Sequence, residues 1–96
     1  MKIYDYDGAK NLCGERIRQA RVVKRMTQGD LTAKMQLTGV RIEREAISKI
    51  ESGERFVADY ELVNFAKVLG VTMDWLVGEL SLIHISEPTR LDVISY

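Results

Sequence analysis

Glycine residues divide the middle of this chain into short segments whose apolar residues recur at three- and four-residue spacing. Gly39, Gly53 and Gly70 each follow such a segment, and glycine often ends a helix because it adopts a left-handed backbone without strain. The spacing is that of the buried side of an α-helix. The single proline, Pro88, lies beyond these segments. The pattern therefore predicts an all-α domain.

The apolar spacing and the capping residues together predict five helices. They are expected at about residues 12–26, from residue 27 to before Gly39, and at about 44–52, 60–69 and 73–77. Four begin at a residue whose side-chain oxygen can accept hydrogen bonds from the free amides of the first turn. These residues are Asn11, Thr27 (in a capping box with Asp30), Asp59 and Thr72. Each predicted helix has an inner side of apolar residues. In the first three helices these are Leu12, Ile17, Ala20 and Val23, then Leu31 and Met35, then Ile47 and Ile50. In the last two they are Leu62, Phe65, Ala66 and Leu69, then Trp75 and Leu76.

The sequence changes character at both ends of this helical region. With 96 residues the chain has room for one domain, which is expected to span residues 12–78. Residues 1–11 are interpreted as an N-terminal arm, because they are acidic and aromatic and do not resemble a signal peptide. Residues 79–96 form a C-terminal tail without helical spacing. This tail resembles translated adapter or read-through sequence, and a native flexible C-terminus is the alternative.

Charge is unevenly distributed, although the chain as a whole is neutral. Between Gly14 and Arg55, ten Lys and Arg residues stand against six Asp and Glu, a balance of +4, and the remainder of the chain carries −4. A basic middle with acidic ends is compatible with one phosphate-facing surface. A chance distribution of charge accounts for it equally well.

The sequence offers little from which an enzyme or a metal site could be built. It contains one cysteine, Cys13, and one histidine, His84, far apart in the chain. No intramolecular disulfide, metal cluster or nucleophile–base pair can be made from them. No apolar run approaches the length of a membrane span. We therefore expect a cytoplasmic non-enzyme with no cofactor and no small-molecule ligand.

Three separated motifs agree in order and spacing with one known pattern. They are TQGDL at 27–31, AISKIESG at 46–53 and LGVT at 69–72. In these motifs the chain resembles the Cro/C1-type (XRE) helix-turn-helix family of phage-repressor-like domains. The resemblance implies a compact five-helix fold with a helix-turn-helix at helices 2 and 3. It also implies a sequence-specific binder of double-stranded DNA that regulates transcription, expected to be a repressor and to act as a homodimer on a near-palindromic site.

The third helix carries the residues expected to read DNA. The major groove of B-DNA admits one α-helix, and a short helix with a polar side can present side chains to base edges. Arg and Lys pair with guanine, Glu accepts from cytosine, and Ser adapts to either role. The polar side consists of Arg44, Glu45, Ser48 and Lys49. The alternative is that this side is simply solvated.

The resemblance also assigns residues outside the third helix. Gln28 is expected to contact a phosphate and to prop the third helix. Arg21 and Glu51 match an ion pair between the first and third helices. Arg55, Ser52 and Lys24 are placed for further phosphate contacts, and Arg41 could reach a phosphate from the lengthened segment before the third helix. The alternative for each of them is a solvated side chain.

The segment from Gln36 to Glu43 departs from the family pattern. It is about five residues longer than a usual turn of this kind, so either the second helix gains a turn or the loop bulges out. The alternation at 40–42 looks extended. Glu43 stands where a Ser or Thr cap is usual, and both Glu43 and Glu45 would place negative charge near DNA. An antitoxin-like or other protein-interaction module is therefore the alternative function.

Overall fold

The computed structural model describes residues 8–78, which form five α-helices and no β-strand. The prediction of an all-α domain is confirmed for these residues. The helices are α1 (Gly14–Val23), α2 (Gln28–Leu37), α3 (Arg44–Glu51), α4 (Asp59–Leu69) and α5 (Met73–Val77). None of them combines the length and the apolar character needed to cross a membrane. The predicted tail, residues 79–96, and most of the predicted arm lie outside the described residues.

All five helices contribute side chains to one hydrophobic core. Burial of apolar surface stabilises such a core by about 25 cal/mol for each Å² removed from water. The predicted inner residues of α2 and α3 are all buried, whereas Leu62 of α4 and Trp75 of α5 are only partly buried. The largest fully buried side chains are Ile17, Leu31, Met35, Ile47, Ile50, Phe65, Leu69 and Leu76.

The predicted inner side of α1 is wrong at its two ends. Ile17 and Ala20 are buried, but Leu12 is 38% and Val23 is 79% exposed. Leu12 precedes the helix, and Val23 is the last helical residue, at the edge of the core, where the chain turns towards α2. The buried position before the helix belongs instead to Cys13.

The thiol of Cys13 is shielded from solvent. The residue is 3% exposed, and burial is the main reason that the pKa of the thiol rises to about 11. The thiol therefore stays protonated at neutral pH, and its role is that of a small core side chain.

Side-chain caps begin α2 and α5 as predicted. The hydroxyl oxygen of Thr27 accepts from the amide of Asp30 at 3.0 Å, and the Asp30 carboxylate accepts from the amide of Thr27 at 2.9 Å. The hydroxyl oxygen of Thr72 accepts from the amide of Trp75 at 3.0 Å. These bonds satisfy amides that a helix leaves free at its N-terminus.

The predicted cap of α4 is wrong. Asp59 is the first helical residue, and Ala58 occupies the N-cap position. The amide of Ala58 is satisfied by the carboxylate of Glu61, which accepts from it at 3.0 Å. Glu61 is 3% exposed, so its side of this partly buried bond is shielded from solvent.

Asn11 joins the start of α1 to the end of α3. Its Oδ1 accepts from the amide of Gly14 at 2.8 Å, so it binds a free amide of the first turn as expected. The predicted N-cap position is wrong, however, because Cys13 occupies it and the helix begins at Gly14. Its Nδ2 donates to the carbonyls of Ile50, at 3.1 Å, and Arg55, at 2.8 Å. The amide of Lys10 also donates to the carbonyl of Gly53 at 2.9 Å, so the last residues of the predicted arm belong to the folded domain.

The backbones of α1 and α3 approach each other closely at Gly14. A Cβ atom at this position would collide with the carbonyl oxygen of Ile50. Only glycine leaves room for this contact.

The long connection between α2 and α3 is packed on the core. Gly39, with φ 94°, turns the chain after α2. Val40 and Ile42 are then buried while Arg41 between them is exposed. The side-chain amide of Gln36 donates to the carbonyl of Ile42 at 3.0 Å. The extra residues therefore form a strap, residues 38–43, held by two apolar side chains.

Replacing Gly14 with Ala should destabilise the domain, because the new methyl group would collide with the Ile50 carbonyl. We expect the free energy of unfolding, measured by chemical denaturation, to fall by about 2 kcal/mol or more. Gly29→Ala is the matched control, since a Cβ there meets only the Thr27 hydroxyl at 3.7 Å. It should gain up to about 1 kcal/mol from higher helix propensity. Equal effects at both positions would contradict the close approach.

Candidate nucleic-acid interface

One side of α3 is polar and open to solvent. Ile47 and Ile50 are fully buried and fix the orientation of the helix. The opposite side consists of Arg44, Glu45, Ser48 and Lys49, all exposed, and is called the α3 polar face below. An α-helix with its side chains is about 10–12 Å across, which matches the major groove of B-DNA, about 12 Å wide. The structure thus brings four of the predicted site residues together.

The carboxylate of Glu51, at the end of α3, connects this helix to α1 and α2. The guanidinium of Arg21 donates to it from Nε at 2.7 Å and from Nη2 at 3.0 Å. Gln28 donates from Nε2 to Oε1 at 3.0 Å. The side chains of Arg21 and Glu51 are only 12% and 5% exposed. The hydrogen bond to Glu51 is the main reason that the pKa of Arg21 rises above its ordinary value, so the Arg21 guanidinium is protonated at neutral pH.

Gln28 lies between this carboxylate and the α3 polar face. Its Nε2 is bound to Glu51, and its Oε1 accepts from Nη1 of Arg44 at 3.4 Å. The side chain is half-buried. Gln28 therefore touches both ends of α3 from the first turn of α2.

Arg55, just past the end of α3, is paired with a carboxylate. Its Nη1 and Nη2 donate to the two oxygens of Glu61 at 3.0 and 3.1 Å, and Nη1 also donates to the carbonyl of Phe56 at 3.0 Å. The Arg55 side chain is 33% exposed. Glu61 was not among the predicted site residues. The signal in the sequence was the pair of acids at the start of α4, Asp59 and Glu61, a few residues after Arg55. The negative charge of Glu61 already balances the positive charge of Arg55. Arg55 therefore attracts a phosphate less strongly than an unpaired arginine would.

The electrostatics of Glu61 follow from this pairing. Burial raises the pKa of its carboxyl, but the hydrogen bonds from Arg55 and from the amide of Ala58 outweigh burial and hold the pKa below its ordinary value. Glu61 is therefore ionised at neutral pH, and it joins the loop after α3 to the start of α4.

The remaining predicted contacts lie in different places. Arg41 is exposed on the strap that leads into α3. Ser52 caps the C-terminus of α3 and donates to the carbonyl of Lys49 at 3.1 Å. Lys24 lies away from α3. Its ammonium group is close to Gly70 at the end of α4, because a Cβ atom added at Gly70 would be 3.2 Å from it. The structure thus groups Arg41 and Ser52 with α3 and leaves Lys24 apart.

The ion pair of Arg21 with Glu51 should be strongly coupled. Arg21→Ala or Glu51→Ala alone should each lower the free energy of unfolding by about 3–5 kcal/mol, because one buried charge loses its partner. The double variant should cost less than the two single variants together. Denaturant unfolding of all four proteins measures this difference. Arg18→Ala, at an exposed position of the same helix, is the control. Strict additivity would show that the pair does not hold α3.

Glu61 should make the stability of the domain depend on pH. Because its folded-state pKa is lowered, its contribution is fully present above the ordinary value of 4.5 and is lost as the pH falls through the folded-state pKa. Glu61→Gln should therefore cost about 2 kcal/mol at pH 7 and progressively less below pH 4.5. Urea unfolding between pH 3 and 7 tests this, with Glu54→Gln as an exposed control. A difference that is independent of pH would contradict it.

Among residues 8–78, no cluster of three or more His, Cys, Asp and Glu side chains is placed to hold a metal ion. What this part of the molecule offers is a polar helix side with donors, acceptors and both signs of charge. Neither models of known protein families nor curated proteins give a match to this chain.

Proposed function

We propose that this domain binds double-stranded DNA in a sequence-specific manner, with α2 and α3 acting as a helix-turn-helix and α3 lying in the major groove. The observation that carries the proposal is the combination found in α3. One side of the helix is completely buried, its end is fixed by Glu51, and its opposite side presents four exposed polar residues. A helix held in this way loses little conformational freedom on binding.

The groups around α3 suit the different chemical surfaces of a DNA duplex. Arg44 and Lys49 can donate to guanine, and Glu45 can accept from the amino group of cytosine. The amides at the start of α2, beside Gln28, form the positive end of a helix dipole and favour a phosphate. Arg41 on the strap adds an exposed positive charge. Base reading and backbone contact thus fall to separate groups.

The proposed role is regulation of transcription, most simply repression by occupation of an operator. A homodimer would place two copies of α3 on a near-palindromic site, with half-sites about 34–36 Å apart. This spacing corresponds to one turn of the duplex.

A protein-interaction module is the second candidate. Glu43 and Glu45 are exposed at the start of α3, and Glu43 occupies the N-cap without a side-chain hydrogen bond. Carboxylates repel DNA phosphates, whereas they are ordinary components of a protein–protein surface. DNA binding with a steep dependence on salt separates the two candidates, because each phosphate contact releases counterions.

Arg44→Ala should reduce affinity for the best duplex by about 1–3 kcal/mol and relax the preference at one base position. Arg41→Ala should weaken binding to all sequences alike and flatten the salt slope by about one. Arg55→Ala should change the salt slope less than Arg41→Ala does, because Glu61 balances its charge. Binding isotherms on matched and singly substituted duplexes at several salt concentrations distinguish these effects.

Lys67→Ala, at an exposed position in the last turn of α4, is the control and should bind like the unmodified protein. If Arg44→Ala weakens every sequence equally, Arg44 does not read a base. If the unmodified protein selects no sequence from random duplexes, the interaction module becomes the better interpretation.

A further inference from the structure

Arg25 adopts a backbone conformation that L side chains rarely occupy. Its φ is 60°, and it is the one non-glycine residue with positive φ within residues 8–78. Its amide donates to the carbonyl of Val22 at 2.9 Å, and the amide of Met26 donates to the carbonyl of Arg21 at 3.0 Å. These are the two hydrogen bonds of a helix end at which glycine is the usual residue. A side chain at this position costs free energy.

The other helix ends show what the chain does where no such constraint acts. The residues with positive φ that follow α2, α3, α4 and α5 are all glycines. They are Gly39, Gly53, Gly70 and Gly78. Arg25, which follows α1, is the exception among the described helix ends.

Contacts within the fold do not offset the cost of Arg25. Its side chain is exposed, and it makes no hydrogen bond, ion pair or ring contact with the part of the chain that the structure describes. Strained residues of this kind cluster at functional sites. The side chain of Arg25 is therefore better explained by a contact with another molecule.

The loop that carries Arg25 is fixed to the proposed DNA-binding elements. The carbonyl of Met26, the next residue, accepts from Nη1 of Arg21 at 2.8 Å, and Arg21 is bound to Glu51 at the end of α3. Thr27, two residues after Arg25, is the N-cap of α2. Arg25 thus lies in the short loop that leads into α2, three residues before Gln28 along the chain.

We propose that Arg25 binds a phosphate of the DNA backbone at the start of α2. The inference rests on the proposed function. A guanidinium matches the geometry of a phosphate by donating two parallel hydrogen bonds. The N-cap of α2 follows two residues after Arg25, and the N-terminus of a helix is the positive end of its dipole. The contact positions the domain on the duplex and carries no information about base sequence.

Arg25→Gly should change stability and DNA binding in opposite directions. Glycine relieves the backbone strain, so the melting temperature should rise by about 2–5 °C. Affinity should fall on the order of tenfold on every duplex, and the salt slope should flatten by about one. Arg25→Lys keeps both the charge and the strain, and it should retain the melting temperature and most of the affinity. Lys67→Ala is the control for loss of an exposed positive charge elsewhere.

Thermal unfolding and duplex binding at several salt concentrations, on the full chain, give a clear decision. If Arg25→Gly binds with unchanged affinity and salt slope, while the unmodified protein selects a DNA sequence, the inference is wrong and the proposed function stands. If Arg25→Gly lowers the melting temperature, no strain is stored at Arg25 and the inference fails. If the unmodified protein binds no duplex, both the inference and the proposed function fail.

Discussion

The carboxylate of Glu51 is the point on which the arrangement of α1, α2 and α3 depends. A nearly buried negative charge is tolerated only when donors surround it, and here Arg21 and Gln28 supply three hydrogen bonds from two different helices. Such an ion pair contributes more to geometry than to net stability. Because Glu51 is the last residue of α3, its partners determine where that helix ends relative to the rest of the domain.

The two ends of α3 are held by different kinds of interaction. At the C-terminal end, Glu51 is bound by charged and polar partners, and Gly14 allows α1 to touch the carbonyl of Ile50. At the N-terminal end, the buried residues Val40 and Ile42 hold the preceding strap, and the bond between Gln28 and Arg44 is longer, at 3.4 Å. The polar contacts are thus strongest where the helix ends, and apolar packing positions its beginning.

Sequence reasoning succeeded where the signal was local and failed where distant residues decided the outcome. The Thr27 cap could be predicted, because it joins residues three apart. The exposure of Val23 could not, since it depends on where α1 stops and on what packs beyond it. The cap of α4 is an exception, because it too joins residues three apart: the carboxylate of Glu61 accepts from the amide of Ala58, and the helix begins at Asp59. The need for glycine at position 14 likewise arises from contact with a helix far along the chain. The Arg21–Glu51 pairing was available only from the resemblance.

The burial of Cys13 has a consequence for how copies of this domain can associate. It is the one cysteine of the chain, it is 3% exposed, and its thiol stays protonated at neutral pH. A covalent link between folded copies through a disulfide is therefore blocked, and any dimer of this domain is reversible and obeys mass action. At concentrations below the dissociation constant, the amount of a reversible dimer rises with the square of the protein concentration. The proposed homodimeric regulator would therefore respond to its own abundance more steeply than a monomer.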